Sequence, residues 1–272
     1  MDQSELIGIE IGVIFAIQLL AFIISCVLET EKLFDFTGAL TFFSVVIFAA
    51  VSQKELRGQE GTNYYGANVV TVFICIWALR LGTYLTYRAL KRGDSRFDQV
   101  KSQPKIFFVY WFFQGVWIMI TLLPSLIVIH KTNYESSESR KLACGVIGIT
   151  LFVIGFILES FADCQLLAFL EKSSRNSKFL TTGVWAYIRY PNYLGEIMLW
   201  FGLYIFGCSF YDDAEFLLIS CPIYLALQLI FVSGIRIQEQ RREQKYRKDP
   251  EYLAYKNQTN CCCLDKLTRY MV

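Results

Sequence analysis

The sequence predicts an all-α integral membrane protein, with about seven transmembrane helices in a single bundle and a cytosolic C-terminal tail. Three observations predict it. The 272 residues are 54% hydrophobic and only 18% charged, too few polar side chains to cover a soluble domain of this length. Phe (23) and Tyr (16) are abundant, which suits contact with lipid and with the bilayer interface. Seven apolar stretches, at about 6–28, 33–51, 66–90, 106–130, 142–170, 193–210 and 213–235, reach or approach the roughly 20 residues that a spanning helix needs.

The first stretch reads as a span rather than a cleaved leader. Its apolar part is long, the residues before it are acidic (Asp2, Glu5), and no small-x-small cleavage site stands out. The sixth and seventh stretches are separated only by "YDDAE", the signature of a tight helical hairpin. Loop charge gives the orientation. Residues 91–105 hold five Lys/Arg and 171–179 hold three, and the chain after 235 holds nine. With seven spans these regions share one side, which the positive-inside rule makes cytosolic. The expected organisation is a polytopic domain at 1–235 and a basic cytosolic tail at 236–272. On this topology the sequon "NQT" (257–259) faces the cytosol and stays unmodified.

Nine cysteines and one histidine restrict the chemistry. Six cysteines lie in apolar runs as small hydrophobes. Cys261, Cys262 and Cys263 are adjacent, a poor spacing for zinc or disulfides, and are candidates for S-acylation or simply thiols in a basic tail. With His130 alone, neither a His-pair metal site nor a Ser-His-Asp triad is expected. No metal and no nucleic-acid partner is expected.

Charged groups within apolar helices call for a reason, since each costs about 2.5–3.5 kcal/mol at the bilayer centre. Arg80, Tyr84, Tyr87, Arg88 and Lys91 share one helical face. Glu159 and Asp163 are four apart at the end of the fifth stretch, and Asn192 and Glu196 are four apart at the start of the sixth. Pro191 suits the first turn of that helix, whose N-terminus favours an anion such as a phosphate. Arg175, Lys178 and Arg189 precede it. The plain alternative is that Asn192 caps the helix and Glu196 pairs with Arg80 for structure alone.

The segment "ADCQLLAFLEKSSRNSKFLTTGVWAYIRYPNYLGEIMLWFGLY" (162–204) resembles the C-terminal half of the steroid 5-alpha-reductase family. Within it, the likeness is greatest to a membrane branch described only as a domain of unknown function, which reads D-x-Q, a basic segment, then G-x-W-x-Y-x-R-H-P-N-Y-x-G-E. Residues 232–259, with their "EYxxYxxxT" element, and 77–100 extend the resemblance, which is strongest over 70–235 and still visible over 236–259. More distantly, the isoprenylcysteine and phospholipid methyltransferases are similar. The resemblance implies a cytosol-facing NADPH pocket in a helical bundle, with Asp163, Asn192 and Glu196 lining it and Lys178 near a cofactor phosphate. Arg189, Tyr193, Arg236, Glu239 and Tyr246 carry over as further cofactor contacts. One departure is Tyr190, which stands where the branch has histidine; steroid reductases themselves have none there.

The resemblance thus implies a membrane reductase that passes hydride from NADPH to a conjugated C=C bond of a steroid-like or other lipid, in the endoplasmic reticulum if the source is eukaryotic. Glu159, Tyr84 and Tyr87 are catalytic candidates by position, as groups able to polarise an enone oxygen. Two alternatives stand beside it: an S-adenosylmethionine-dependent membrane methyltransferase, and a non-catalytic lipid-binding scaffold of the same fold. A lipophilic substrate and membrane lipid are the expected partners.

Overall fold

The computed structural model describes residues 3–57, 64–93, 97–98, 100–132, 136–172 and 179–261. These residues are overwhelmingly helical. The helices are α1 (Gln3–Val27), α2 (Leu33–Arg57), α3 (Tyr64–Arg92), α4 (Pro104–His130), α5 (Glu138–Lys172), α6 (Pro191–Gly207), α7 (Ser220–Leu227), α8 (Ile235–Tyr246) and α9 (Pro250–Gln258). A 3-10 turn (Asp213–Ile219), α7, a π turn (Gln228–Val232) and α8 follow one another as one long segment, Asp213–Tyr246. Counted that way, the described residues hold eight helices, not the seven expected. Six are long and apolar enough to cross a membrane. The sixth expected span, α6, is 17 residues, which at 1.5 Å per residue is about 25 Å and short of the roughly 30 Å hydrocarbon core. The extra helix is α9, which the polar composition of the tail conceals.

The chain divides into two compact units: residues 1–147 with 203–221, and residues 148–202 with 222–272. In the first, α1–α4 pack on one another around Phe42, Val46, Ile74, Trp77, Trp111 and Leu122. Some of the polar groups inside it are paired. Glu10 and His130 are both fully buried and approach to 2.6 Å, and Gln18 donates to Thr41 at 2.9 Å. The acidic "YDDAE" link is an N-cap: Asp212 and Glu215 form a capping box, and Lys131 binds both, at 3.0 and 2.6 Å.

The second unit is built on a close helix crossing. A Cβ on Gly155 of α5 would lie 2.6 Å from the Gly195 carbonyl oxygen, and one on Gly195 of α6 would lie 2.6 Å from the Gly155 carbonyl oxygen. Gly202 is equally tight against the backbone of Phe152. Small residues let membrane helices approach backbone to backbone, where dispersion and weak C–H···O contacts hold them. The 3-10 turn Gly183–Ala186 leads from α5 back to α6. Residues Ile188–Arg189 then pair in parallel with Asn260–Cys261, so the chain beyond α9 is tied to the entry of α6.

Candidate functional site

The crossing of α5 and α6 brings Asp163 and Asn192 together, with Glu159 and Glu196 one turn along their helices. Glu159, Asp163 and Glu196 are 1%, 3% and 8% exposed, and the Asn192 amide donates to Asp163 Oδ1 at 3.3 Å. Gly195, beside Glu196, abuts the backbone and Cβ of Glu159. The four-residue spacings put Glu159 one turn from Asp163 and Glu196 one turn from Asn192, and Asp163 and Asn192 meet across the crossing. Such a cluster is rich in acceptors. Asn192 Oδ1 is buried and has no hydrogen-bond partner among the described residues, so the site can take a further donor such as an amide or a hydroxyl.

The strap into α6 is fixed residue by residue. Gly183, at φ +64°, leaves room for Gln165, whose Oε1 accepts from Val184 N at 3.1 Å. The Trp185 indole donates to the Ala162 carbonyl at 3.1 Å. Pro191 opens α6 with Tyr190 just before it at φ +61°, a left-handed conformation that a bulky residue holds only when its surroundings dictate it. Those surroundings are Trp185, Tyr193 and the Arg242 guanidinium, the last 4.8 Å from the ring centroid. Burial pushes the Tyr190 phenol well up from its ordinary range; Arg242 opposes this and Glu239 adds to it.

Arg189 is 2% exposed. Its guanidinium donates to the carbonyls of Lys256 (2.5 Å) and Thr259 (3.0 Å), and its Nε lies 3.3 Å from Glu239 Oε1. These internal partners hold α8 and α9 against the start of α6. Tyr255 donates to the Trp185 carbonyl at 2.7 Å, and Phe179 packs among Tyr246, Tyr252 and Tyr255. Thr259 of the sequon is 2% exposed, its hydroxyl bound to the Tyr255 carbonyl.

Among the sequence-derived candidates, Asp163 and Asn192 meet at the crossing, and Glu159 and Glu196 are buried one turn from them. Tyr193 is half-buried against Tyr190. Glu239 and Tyr246 face the interior of the second unit, while Arg236 is exposed. Tyr84 and Tyr87 belong to the first unit, with Arg88 5.6 Å over the Tyr84 ring and Lys91 5.9 Å over the Tyr87 ring. Lys178, Arg175, Cys262 and Cys263 lie outside the described residues, as does the Cys261 side chain. Gln165, Trp185, Arg242, Tyr252 and Tyr255 were not singled out by chemistry. The signal for the last two was present: Tyr252, Tyr255 and Thr259 fall on one helical face of an otherwise polar segment.

Known proteins are similar to parts of this chain. An uncharacterised protein of Schizosaccharomyces pombe, C594.04c, is 27% identical over 211 residues, covering 67% of this chain and 58% of that protein. Steroid 5-alpha-reductase DET2 of Solanum lycopersicum is 37% identical over 75 residues, 28% of each chain. The chain therefore matches less than two thirds of the length of either relative. No solved structure matches significantly. The family model described as "Protein of unknown function (DUF1295)" matches residues 21–259. The chain belongs to that family, DUF1295, which is related to the steroid 5-alpha-reductase-like proteins.

Proposed function

We propose that the protein is a membrane reductase that uses NADPH to reduce a conjugated C=C bond in a steroid-like or other lipid. The observation that carries the proposal is the Asp163–Asn192 pair at the helix crossing, one turn from the buried Glu159 and Glu196, with a buried Asn192 Oδ1 able to accept from a further donor. The donor set suits a nicotinamide nucleotide. Carboxylates and an amide oxygen accept from ribose hydroxyls and a carboxamide, and the α6 N-terminus favours a phosphate. Partial similarity to the tomato steroid 5-alpha-reductase over 75 residues supports the same reading.

Under this reading Asp163, Asn192 and Glu196 bind and orient the nucleotide, which supplies the hydride when bound. Asp163 is buried and bound to Asn192, and Glu196 is buried one turn along α6, so these groups are positioned before ligand arrives. The apolar surroundings exclude water. Reduction also needs a group that polarises the enone oxygen and a proton for the second carbon; Glu159, Tyr84 and Tyr87 are proposed for these roles. Lys178 and Arg236 are proposed for the cofactor phosphates and Tyr193 and Tyr246 for its edges, while Arg189 and Glu239 act by fixing the start of α6. On this reading the tail lies on the cytosolic side, where NADPH is available, and the membrane is that of the endoplasmic reticulum if the source is eukaryotic.

Equilibrium binding to the purified, detergent-solubilised chain tests the proposal. NADPH should bind saturably, and Asp163→Ala and Glu196→Ala should each weaken it about tenfold or more, the cost of one buried hydrogen-bonding group. Binding of S-adenosylmethionine in place of NADPH would overturn the reading in favour of a methyltransferase, and binding of neither would favour a scaffold.

A further inference from the structure

Helix α8 sorts its charges by side. Both of its carboxylates face inward. Glu239 lies 3.3 Å from Arg189 Nε and 3.8 Å from Lys256 Nζ, and Glu243 pairs with Lys256. Arg242 is turned inward onto the Tyr190 ring, and Ile235 is buried. The opposite face carries Arg236, Arg241 and Lys245, all exposed, and Arg247 and Lys248 are exposed just past the helix end. At about 100° per residue, exposed positions 236, 237, 240, 241, 244 and 245 occupy one half of the helix. No carboxylate of α8 shares that half.

This face has a defined place in the chain. Helix α8 begins three residues after Val232, the last residue of the π turn in the apolar segment, and Val232 is itself 67% exposed. Ile237, 37% exposed, lies on the same half of the helix as the cations. Long basic stems beside an exposed apolar residue suit the boundary between acyl chains and headgroups, where the stems bury and the charges reach out.

We propose that Arg241 and Lys245 on the outward face of α8, with Arg247 and Lys248, bind anionic lipid headgroups at the membrane surface next to the seventh apolar stretch. The partner is an anionic phospholipid, because cations within a few turns of an apolar segment, on a helix face without carboxylates, meet headgroups before any soluble anion. The consequence is that the inner face of α8 secures the start of α6 while its outer face secures the segment to the bilayer.

The test uses the full chain in detergent mixed with equal amounts of phosphatidylserine and phosphatidylcholine of identical acyl chains. Lipid retained through gel filtration is then quantified by class. Phosphatidylserine should be enriched several-fold over phosphatidylcholine. The enrichment should fall towards unity in R241Q/K245Q/K248Q and, for the unaltered chain, at high salt, where the Debye length drops to about 3–5 Å. Equal retention of the two lipids by the unaltered chain would overturn the proposal, as would enrichment insensitive to salt. So would a triple variant, with its gel-filtration profile preserved, that loses NADPH binding but keeps its phosphatidylserine; the patch would then belong to the dinucleotide.

Discussion

Replacing Gly155 by alanine tests whether the α5–α6 crossing builds the acidic site. The new Cβ would stand 2.6 Å from the Gly195 carbonyl oxygen and 2.7 Å from the Leu199 backbone nitrogen. Both are backbone atoms, so no rotamer change relieves the clash. Restoring ordinary contact at about 3.4 Å requires the helices to part by about 0.8 Å locally. The Asn192–Asp163 bond is already 3.3 Å long, and a comparable separation there takes it past the roughly 3.5 Å at which it ceases to be one. Overpacking of this kind costs about 1–3 kcal/mol, and alanine's better helix propensity returns about 1 kcal/mol. A backbone clash belongs at the upper end, so the net is a loss of about 1–2 kcal/mol. Gly145 on the same helix is the control, because nothing lies within 4 Å of its would-be Cβ. There alanine gains propensity alone, about 0.5–1 kcal/mol. For a chain of this size these figures correspond to a melting temperature lowered by about 2–8 °C for Gly155→Ala and raised by about 1–4 °C for Gly145→Ala. Thermal unfolding in detergent, followed by tryptophan fluorescence, reads both. If Gly155→Ala melts at or above Gly145→Ala, the crossing is not the constraint described and the geometry of the site has another origin.

Other expectations concern the strap and tail. Arg189→Met removes the partner of two carbonyls and of Glu239 from a buried position, a loss of about 3–5 kcal/mol for a broken buried pair. That energy holds α8 and α9 down, so trypsin should cut at Arg247 and Lys248 much faster. Arg189→Lys should recover little, since an ammonium lacks the fork that reaches several acceptors; unchanged digestion would contradict the assignment. Tyrosine titration gives a second check. Burial raises the Tyr190 and Tyr255 phenols and pushes Tyr252 up to about 12. A raised phenol pKa means the folded chain holds the proton more tightly. The associated stability is present below pH 10 and lost as pH rises towards and through about 12. Ultraviolet absorbance should therefore show these tyrosines ionising together with loss of helical circular dichroism. Ionisation near pH 10 with the helices intact would mean that the aromatic cluster is not closed.

The membrane helices were legible because length and apolarity are one-dimensional properties. All seven stretches coincide with helical segments, and the discrepancy is confined to the short α6 and the polar α9. The acidic site was legible in part for a similar reason: Glu159 with Asp163 and Asn192 with Glu196 repeat the four-residue spacing that sets side chains on one face. Their mutual approach depends on Gly155 and Gly195, and a glycine in an apolar run does not say which helix it meets. The tail was the least legible. Its cations are conspicuous in composition, but sidedness decides their role. Arg189 and Lys256 point into carbonyls and carboxylates, Arg242 covers an aromatic ring, and Arg241 and Lys245 point out. Net charge carries none of that distinction.

The same geometry bears on proton chemistry. Tyr190 stands where the resembling motif carries histidine, which raises the question whether it inherits an acid's role. Its surroundings argue otherwise. The ring is 2% exposed, held at φ +61° and covered by Arg242, so rotation towards a ligand would dismantle the strap that positions Asn192. Burial raises the phenol further from neutrality, which makes it a weaker proton donor at physiological pH rather than a stronger one. A general acid works best with a pKa near the working pH, and Tyr190 moves the opposite way. The proton and the polarising group of the proposed reduction must therefore come from another residue, and Tyr190 is the stacked support on which Arg242 of α8 rests. On that reading Tyr190→Phe should keep NADPH binding within about twofold, since the phenol oxygen is not what the strap requires, while Tyr190→Ala should abolish it by removing the surface that Arg242 and Trp185 pack against. Loss of binding in Tyr190→Phe equal to that in Tyr190→Ala would return the hydroxyl to the site.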